Sequence, residues 1–472
     1  MKKILALVAV VGLITTSCRK IEEDVTVIGG DGGKDSTVEN TVLEGKISSD
    51  RTLKANYVYK IRGFVYVTGG ATLTIEPGTT IQGEKGSSTR GALVITRGSK
   101  IVADGTKDKP ITFTSDQSSP KRGDWGGLVI LGNASTNASY NNQAGVGSVE
   151  GGVNTVEGLG LYGGTNDDDN SGILRYVRVE YAGYAYLPDN ELNGITLAGV
   201  GRGTTVDYVE VFKANDDAIE CFGGTVNLKH TVFISTLDDD FDTDNGWRGN
   251  VQWGIVMRDS AIADISKSES FESDNDANGS ALTPQTAGVY SNITVIGPRA
   301  TAANVGNSLY LAAAQIRRNS SISIFNSVIM GYPTGILIDA KNGTPTDNNI
   351  KANTLLVQNT TIAGCAKPLD YAVSSTAPTG WAAADVTNWF NTAAYSNSIL
   401  NTNDEVKLAA PFNYTTPDFT PQTGSPLLTG ASFTNAKVSG SFFTAVSYKG
   451  AVGASGDDAS WWKDWTLLDL SK

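Results

Sequence analysis

Apolar and polar residues alternate in short runs along most of the chain, and Gly, Asn and Asp separate the runs. ATLTIEPGTTI (Ala71 to Ile81) and GALVITRGSKI (Gly91 to Ile101) share one pattern at a step of 20, with Leu73, Ile75, Gly78 and Ile81 corresponding to Leu93, Ile95, Gly98 and Ile101. Such alternation predicts strands with one buried face. ITFTS from Ile111 and WGGLVILGNA from Trp125 continue it. The pattern lapses from about Ala134 to Ser171, which predicts long surface loops, and resumes in LRYVRVEYAG. There Val177, Val179 and Ala182 match Val209, Val211 and Ala214 after 32 residues.

Tyr208 to Trp247 holds two copies of one unit at an offset of 23. Val209, Val211, Ala214 and Gly223 match Val232, Ile234, Leu237 and Gly246, and Asp216 and Asp217 match Asp239 and Asp240. Three later segments share Asn-x-x-x-x-Gly, from Asn292, Asn326 and Asn359, in steps of 34 and 33. Asn bonds local backbone and tolerates left-handed dihedrals, which suits a recurring corner. Repeats of this length predict a solenoid, because stacked coils bury together what no coil can bury alone. The expected class is all-β, a parallel β-helix over residues 46–370 with long loops. A C-terminal capping region, 371–472, follows, in which GWAAADVTNWF predicts a short helix and SWWKDWTLLDL, with three Trp, a cover for the last coil.

Composition narrows the chemistry. Of 472 residues 53 are Gly and 18% are charged, which suits strands and turns. A net charge of −12 argues against binding nucleic acid through its phosphates. The one histidine, His230, rules out a multi-His zinc site and is expected as a half-buried strand residue. Cys221 and Cys365 follow strand-like runs and are expected as buried, unpaired thiols. Lys2 and Lys3, the apolar run Ile4 to Ile14 and the small residues Thr15 to Ser17 predict a signal peptide. Residues 19–45, rich in Gly, Asp, Ser and Glu, read as a flexible tether. No later segment is long and apolar enough to predict a transmembrane helix.

Stacked coils bring like positions ~4.8 Å apart, so acids of one coil lie over acids of the next. Two unit charges at that separation repel by about 3–4 kcal/mol at an effective dielectric near 20. Asp216, Asp217, Asp239 and Asp240 therefore predict a cation site, and calcium suits it because calcium takes several hard oxygen ligands. Asp240, Asp242 and Asp244 alternate so as to converge in a tight loop. Asp274 and Asp276, in DNDANG, fit the opening positions of a calcium loop, with Gln285 where a bidentate Glu would stand. Neither stretch has the flanking helices of an EF-hand. Trp247, Trp253 and Tyr184 lie close in sequence to these acids and are the candidate sugar-stacking residues.

LTIEPGTTI, WGGLVILGNA and DDAIECFGGTVN resemble a group of secreted or lipid-anchored Bacteroidetes proteins, and the repeats resemble the right-handed parallel β-helix of pectate-lyase-like proteins. The N-terminus resembles a lipoprotein signal, which implies lipidation of Cys18 at the end of a signal peptide spanning 1–18. The acids after Cys18 resemble a surface-export signal and imply an outer-membrane protein facing the cell exterior, held by its lipid alone. In pectate-lyase-like enzymes stacked acids hold calcium and an Arg or Lys removes a proton from the uronate. The resemblance thereby offers Arg317, Arg318 and Lys213 as candidate bases. No complete catalytic motif of that family is present, so binding of a polysaccharide or an outer-membrane protein partner comes before a calcium-dependent lyase. An accessory subunit of an outer-membrane uptake or assembly complex is the third reading.

Overall fold

The computed structural model describes residues 39–86, 90–187 and 190–471. The expected signal peptide, Cys18 and most of the tether lie outside the described residues. The unit Thr41–Lys472 is a right-handed parallel β-helix built of three long sheets.

The first sheet starts with Arg51–Leu53, Thr72–Ile75 and Lys100–Asp104 and ends with Ser323–Phe325 and Val357–Gln358. The second includes Thr80–Gly83 and Ile111–Ser115, and ends with Val328–Met330, Thr361–Ala363 and Ser398–Leu400. Between these, five long strands run through both sheets: Gly172–Glu180, Thr205–Phe212, Asn227–Ile234, Asn250–Met257 and Val289–Ile296. The third sheet carries Gly127–Leu131, Ile195–Ala198, Ile219–Phe222, Phe241–Asp244, Phe271–Ser273, Ala312–Ile316 and Thr334–Ala340 in order. Inward residues of all three, such as Leu228, Phe233 and Phe241, share one continuous core.

Each long strand bends at one residue with positive φ: Tyr176 (47°), Tyr208 (53°), His230 (49°), Trp253 (61°) and Asn292 (59°). Asn326 (51°) and Asn359 (53°) hold the same corner in later coils, as the repeated Asn predicts. Left-handed backbone costs a non-Gly residue roughly 1–2 kcal/mol, so each corner needs compensation. The rings supply it in early coils, where Tyr176, Tyr208, His230 and Trp253 stack at centroid spacings of 4.4, 4.1 and 4.7 Å. Aromatic pairs contribute roughly 0.5–1.5 kcal/mol beyond burial. His230 is held in that stack and bonded to Asp207 at 2.7 Å. In later coils the Asn side chains donate to the carbonyls of Tyr448, Ser432 and Gly430.

Those carbonyls belong to the C-terminal region, which has two parts. Helix Ala383–Phe390 buries Val386, Trp389 and Phe390 against the core of the last coils. The Trp-rich tail instead lies along the flank. Trp461, Trp462 and Trp465 pack with Phe212, Ile234, Met257 and Met330 on the outer face of the second sheet. That sheet is thus apolar on both faces.

Two spacings differ from expectation. Coil pairing in the early turns runs from 22 residues (Arg51 beside Leu73) through 28 (Leu73 beside Ile101, Val65 beside Leu93) to 32 (Ile81 beside Phe113). The step of 20 relates two strand–turn–strand corners on different sheets. In the acidic stretch the offset is 22, with Val211 beside Phe233 and Phe212 beside Ile234. The 32-residue match of Val177 to Val209 holds. Ladder pairing begins at Val42 and reaches Leu400, outside the expected limits of 46 and 370.

The tail's role can be measured. Trp465→Ala removes a fully buried ring and is expected to cost about 3–5 kcal/mol in urea unfolding of the whole chain. A cost below about 1 kcal/mol would mean that the tail is not part of the cooperative unit.

Candidate functional site

The outer face of the third sheet opens into a cleft of about 840 Å³. Alternation within its strands turns Ile219, Cys221 and Phe241 into the core and leaves Glu220, Phe222, Asp242 and Asp244 facing out. In-register pairing stacks Glu220 on Asp242 and Asp242 on Glu272, and Phe222 on Asp244. The turns entering these strands add Asp216, Asp217 and Asp238. Glu150 and Glu191 come from one wall, and Asp264, Ile265 and Ser266 from the other. Arg317 and Arg318 line the cleft together with Asp274 and Ala277. Ten carboxylates therefore face two guanidinium groups.

The acids converge in triads. Asp216, Asp217 and Asp238 bring one oxygen each within 4.8 Å of one another, and so do Asp217, Glu220 and Asp242. Few donors reach them. Asp217 accepts the Asp239 N–H at 2.9 Å, and Glu220 accepts from Asn193 at 2.6 Å. Among the described residues no basic side chain forms an ion pair with Asp216, Asp217, Asp238, Glu220 or Asp242.

Burial first, and neighbouring carboxylates second, hold these groups in their protonated range. The carboxyls of Asp216, Asp217, Glu220 and Asp238 are raised well above the usual value. Burial, reinforced by Asp239, pushes Asp242 up to about 7, and burial with the charge of Asp242 pushes Asp244 to about 7. Asp274 is pushed to about 9 by burial and Asp244, against the pull of Arg318. The cleft cannot carry its full negative charge unaided; it takes up protons or cations.

The expected site residues divide. Asp216, Asp217, Asp242, Asp244 and Asp274 meet in the cleft, with Arg317 and Arg318 beside them. Both arginines are engaged: Arg317 pairs with Glu272 and, at 3.1 Å, with Asp274, and Arg318 lies 3.3 Å from Asp274. Asp239 stacks behind the cleft wall rather than lining it. Asp240 is turned inward, 0% exposed, and pairs at 3.0 Å with the equally buried Arg258. One residue of register separates these outcomes, because a slip by one reverses every side chain in a strand.

Others lie elsewhere. Asp276 spends its carboxylate on the N–H groups of Asn278 and Ser280, and Gln285 donates to the Asn319 carbonyl. That loop is closed by its own backbone. Lys213 sits on the flank, donating to the Leu470 carbonyl at 2.9 Å. Trp247 is a core residue, 1% exposed, where a side chain on Gly288 would collide with its ring. Trp253, 7% exposed, belongs to the corner stack. Tyr184 packs its ring under Arg90 at 4.7 Å. Cys221 and Cys365 are free thiols, the first buried and the second partly so.

The residues missed by sequence reasoning are Glu220, Asp238 and Glu272 from the coils, and Glu150, Glu191 and Asp264 from loops. An offset of 22 would have paired Asp216 with Asp238 and Glu220 with Asp242. The loop acids carry no repeat signal.

A family model described as a pectate-lyase-like β-helix domain matches residues 45–409. No curated protein and no solved structure matches the chain.

Two substitutions separate the two classes of acid. Asp240→Asn leaves Arg258 buried without its charge partner and is expected to cost about 3–5 kcal/mol, with or without divalent cations. For Asp242 the folded pKa exceeds the unfolded one, so the folded chain holds the proton more tightly. Its contribution to stability is full below about pH 4 and is lost as pH rises through about 7. In EDTA, Asp242→Asn is therefore expected to raise the melting temperature near pH 8 and to leave it unchanged near pH 4. A variant no more stable than the parent near pH 8 would refute the electrostatic picture.

Proposed function

The chain belongs to the pectate-lyase-like β-helix domain family, which supports a glycan-related role, and on that premise we propose that it is a cell-surface lipoprotein that binds a polysaccharide in its acidic cleft through bound calcium. The observation that carries this reading is Asp217. Its carboxylate belongs to two triads at once, so two cation positions sit side by side along the cleft floor. The donors are all oxygens, the set that hard ions such as calcium prefer. Sugar hydroxyls or uronate carboxylates complete the coordination of such ions, and Phe222 offers an apolar ring on the same floor. A lipid on Cys18 would hold the domain at the outer membrane, facing the cell exterior, where polysaccharides are met.

Binding is preferred to cleavage because of the arginines. A general base must be free to reach the substrate, and Arg317 is already held by Glu272 and Asp274 and Arg318 by Asp274. What favours the lyase reading is that both guanidiniums share the cleft with the triads.

The test is a glycan array probed with the full chain in calcium and in EDTA. Calcium-dependent binding that falls at least about tenfold, or about 1.4 kcal/mol, in Glu220→Gln is the expected result. Binding that is indifferent to calcium and to Glu220 would sink the proposal. Parallel incubation with uronate polymers, read as absorbance of unsaturated products, is expected to stay silent. Product formation abolished by Arg317→Ala would install the lyase reading instead.

A further inference from the structure

Behind the wall of the cleft, at the start of the third sheet, Asp239 stacks between Asp217 of one coil and Glu269 of the next. Its N–H donates to Asp217 at 2.9 Å, and its carboxylate accepts the Glu269 N–H at 2.6 Å. Asp238, Asp239 and Glu269 bring one oxygen each within 4.8 Å of one another. Asp239 is 2% and Glu269 1% exposed, and neither lines the cleft, whereas Asp238 does.

The second observation is an orphan. Oε1 of Glu269 is buried with no hydrogen-bond partner, and so is Oδ1 of Asp238. Arg258 gives its guanidinium to Asp240 and to the carbonyls of Leu237, Asp238 and Glu269. Among the described residues none of the three carboxylates has an ion pair. Asp238 accepts from the Ser266 hydroxyl at 2.7 Å through its other oxygen only. A buried carboxylate oxygen with neither donor nor cation is costly, and a single proton relieves only one contact of a triad.

We infer that Asp238, Asp239 and Glu269 form a further divalent-cation site, buried beside the cleft and sharing Asp238 with the floor triad of Asp216 and Asp217. Oxygens that share one calcium at ~2.3–2.6 Å lie no more than about 5.2 Å apart, and the three oxygens of this triad lie within 4.8 Å of one another. The oxygen-only donor set selects calcium, magnesium or manganese over zinc. Asp238, open to the cleft, gives the ion its entry path and room for water ligands. The ion ties Glu269 to the preceding coil and so fixes the segment 258–270, whose residues Asp264, Ile265 and Ser266 form a cleft wall. This site does not depend on the glycan reading.

The experiment is equilibrium dialysis of the full chain against calcium, with limited proteolysis of the 258–270 segment as a second readout. Glu269→Gln is expected to bind one ion fewer than the parent and to lose calcium protection of that segment. Glu220→Gln is expected to lose a different ion and keep the protection. The amide keeps the volume and removes a buried charge, so Glu269→Gln is expected to fold, which circular dichroism checks; Asp239→Asn supplies the same readout should it not. Equal stoichiometry in Glu269→Gln and the parent, or calcium protection that Glu269→Gln retains, overturns the site, the result a shared proton would give. Absence of glycan binding would leave this measurement standing.

Discussion

Successive coils lie one strand spacing apart, and the whole molecule follows from that fixed distance. A residue at a given place in a coil cannot avoid its counterpart in the next. Where the position is apolar and inward, the repeat builds one continuous core. Where it is a corner, like must stack on like, and four rings followed by three Asn occupy one such line. Both solutions turn a locally unfavourable backbone into a contact shared with the next coil.

The same geometry that helps rings and Asn harms carboxylates. In the column of Glu220, Asp242 and Glu272 each acid meets another, and only the last has a guanidinium within reach. The chain shows two responses to this repulsion. Asp240 is neutralised from within by Arg258, a fully buried pair that belongs to structure. Among the described residues Asp216, Asp217, Asp238, Glu220 and Asp242 have no ion pair of this kind. Cleft-lining and structural acids thus share a single run, Asp238 to Asp242.

Much of the architecture was legible in the sequence, because alternation and the 32-residue match depend only on side chains meeting a shared core. The Asn corners were legible for the same reason. The register of the acidic stretch was not, since Phe212, Val232 and Ile234 are buried outward against the tail while Val211 and Phe233 are buried inward. With both faces apolar, an offset of 23 looks as good as 22, and the one-residue slip turned Asp240 toward the cleft and hid Glu220. The early step of 20 misled because strand–turn–strand corners look alike whichever sheet they join. Trp247 and Trp253 were placed by closeness in sequence, which in a solenoid says little about which side of the wall a residue occupies.

The tail has a consequence for biogenesis. Tyr176 and Tyr208 are made long before the rings that cover them, Trp461 and Trp465. A chain delivered from its N-terminus can wind coils as they emerge, but it carries an unsheltered greasy stripe along one side until the Trp-rich segment arrives. A chain released before that segment has docked is an aggregation hazard despite having every coil in place.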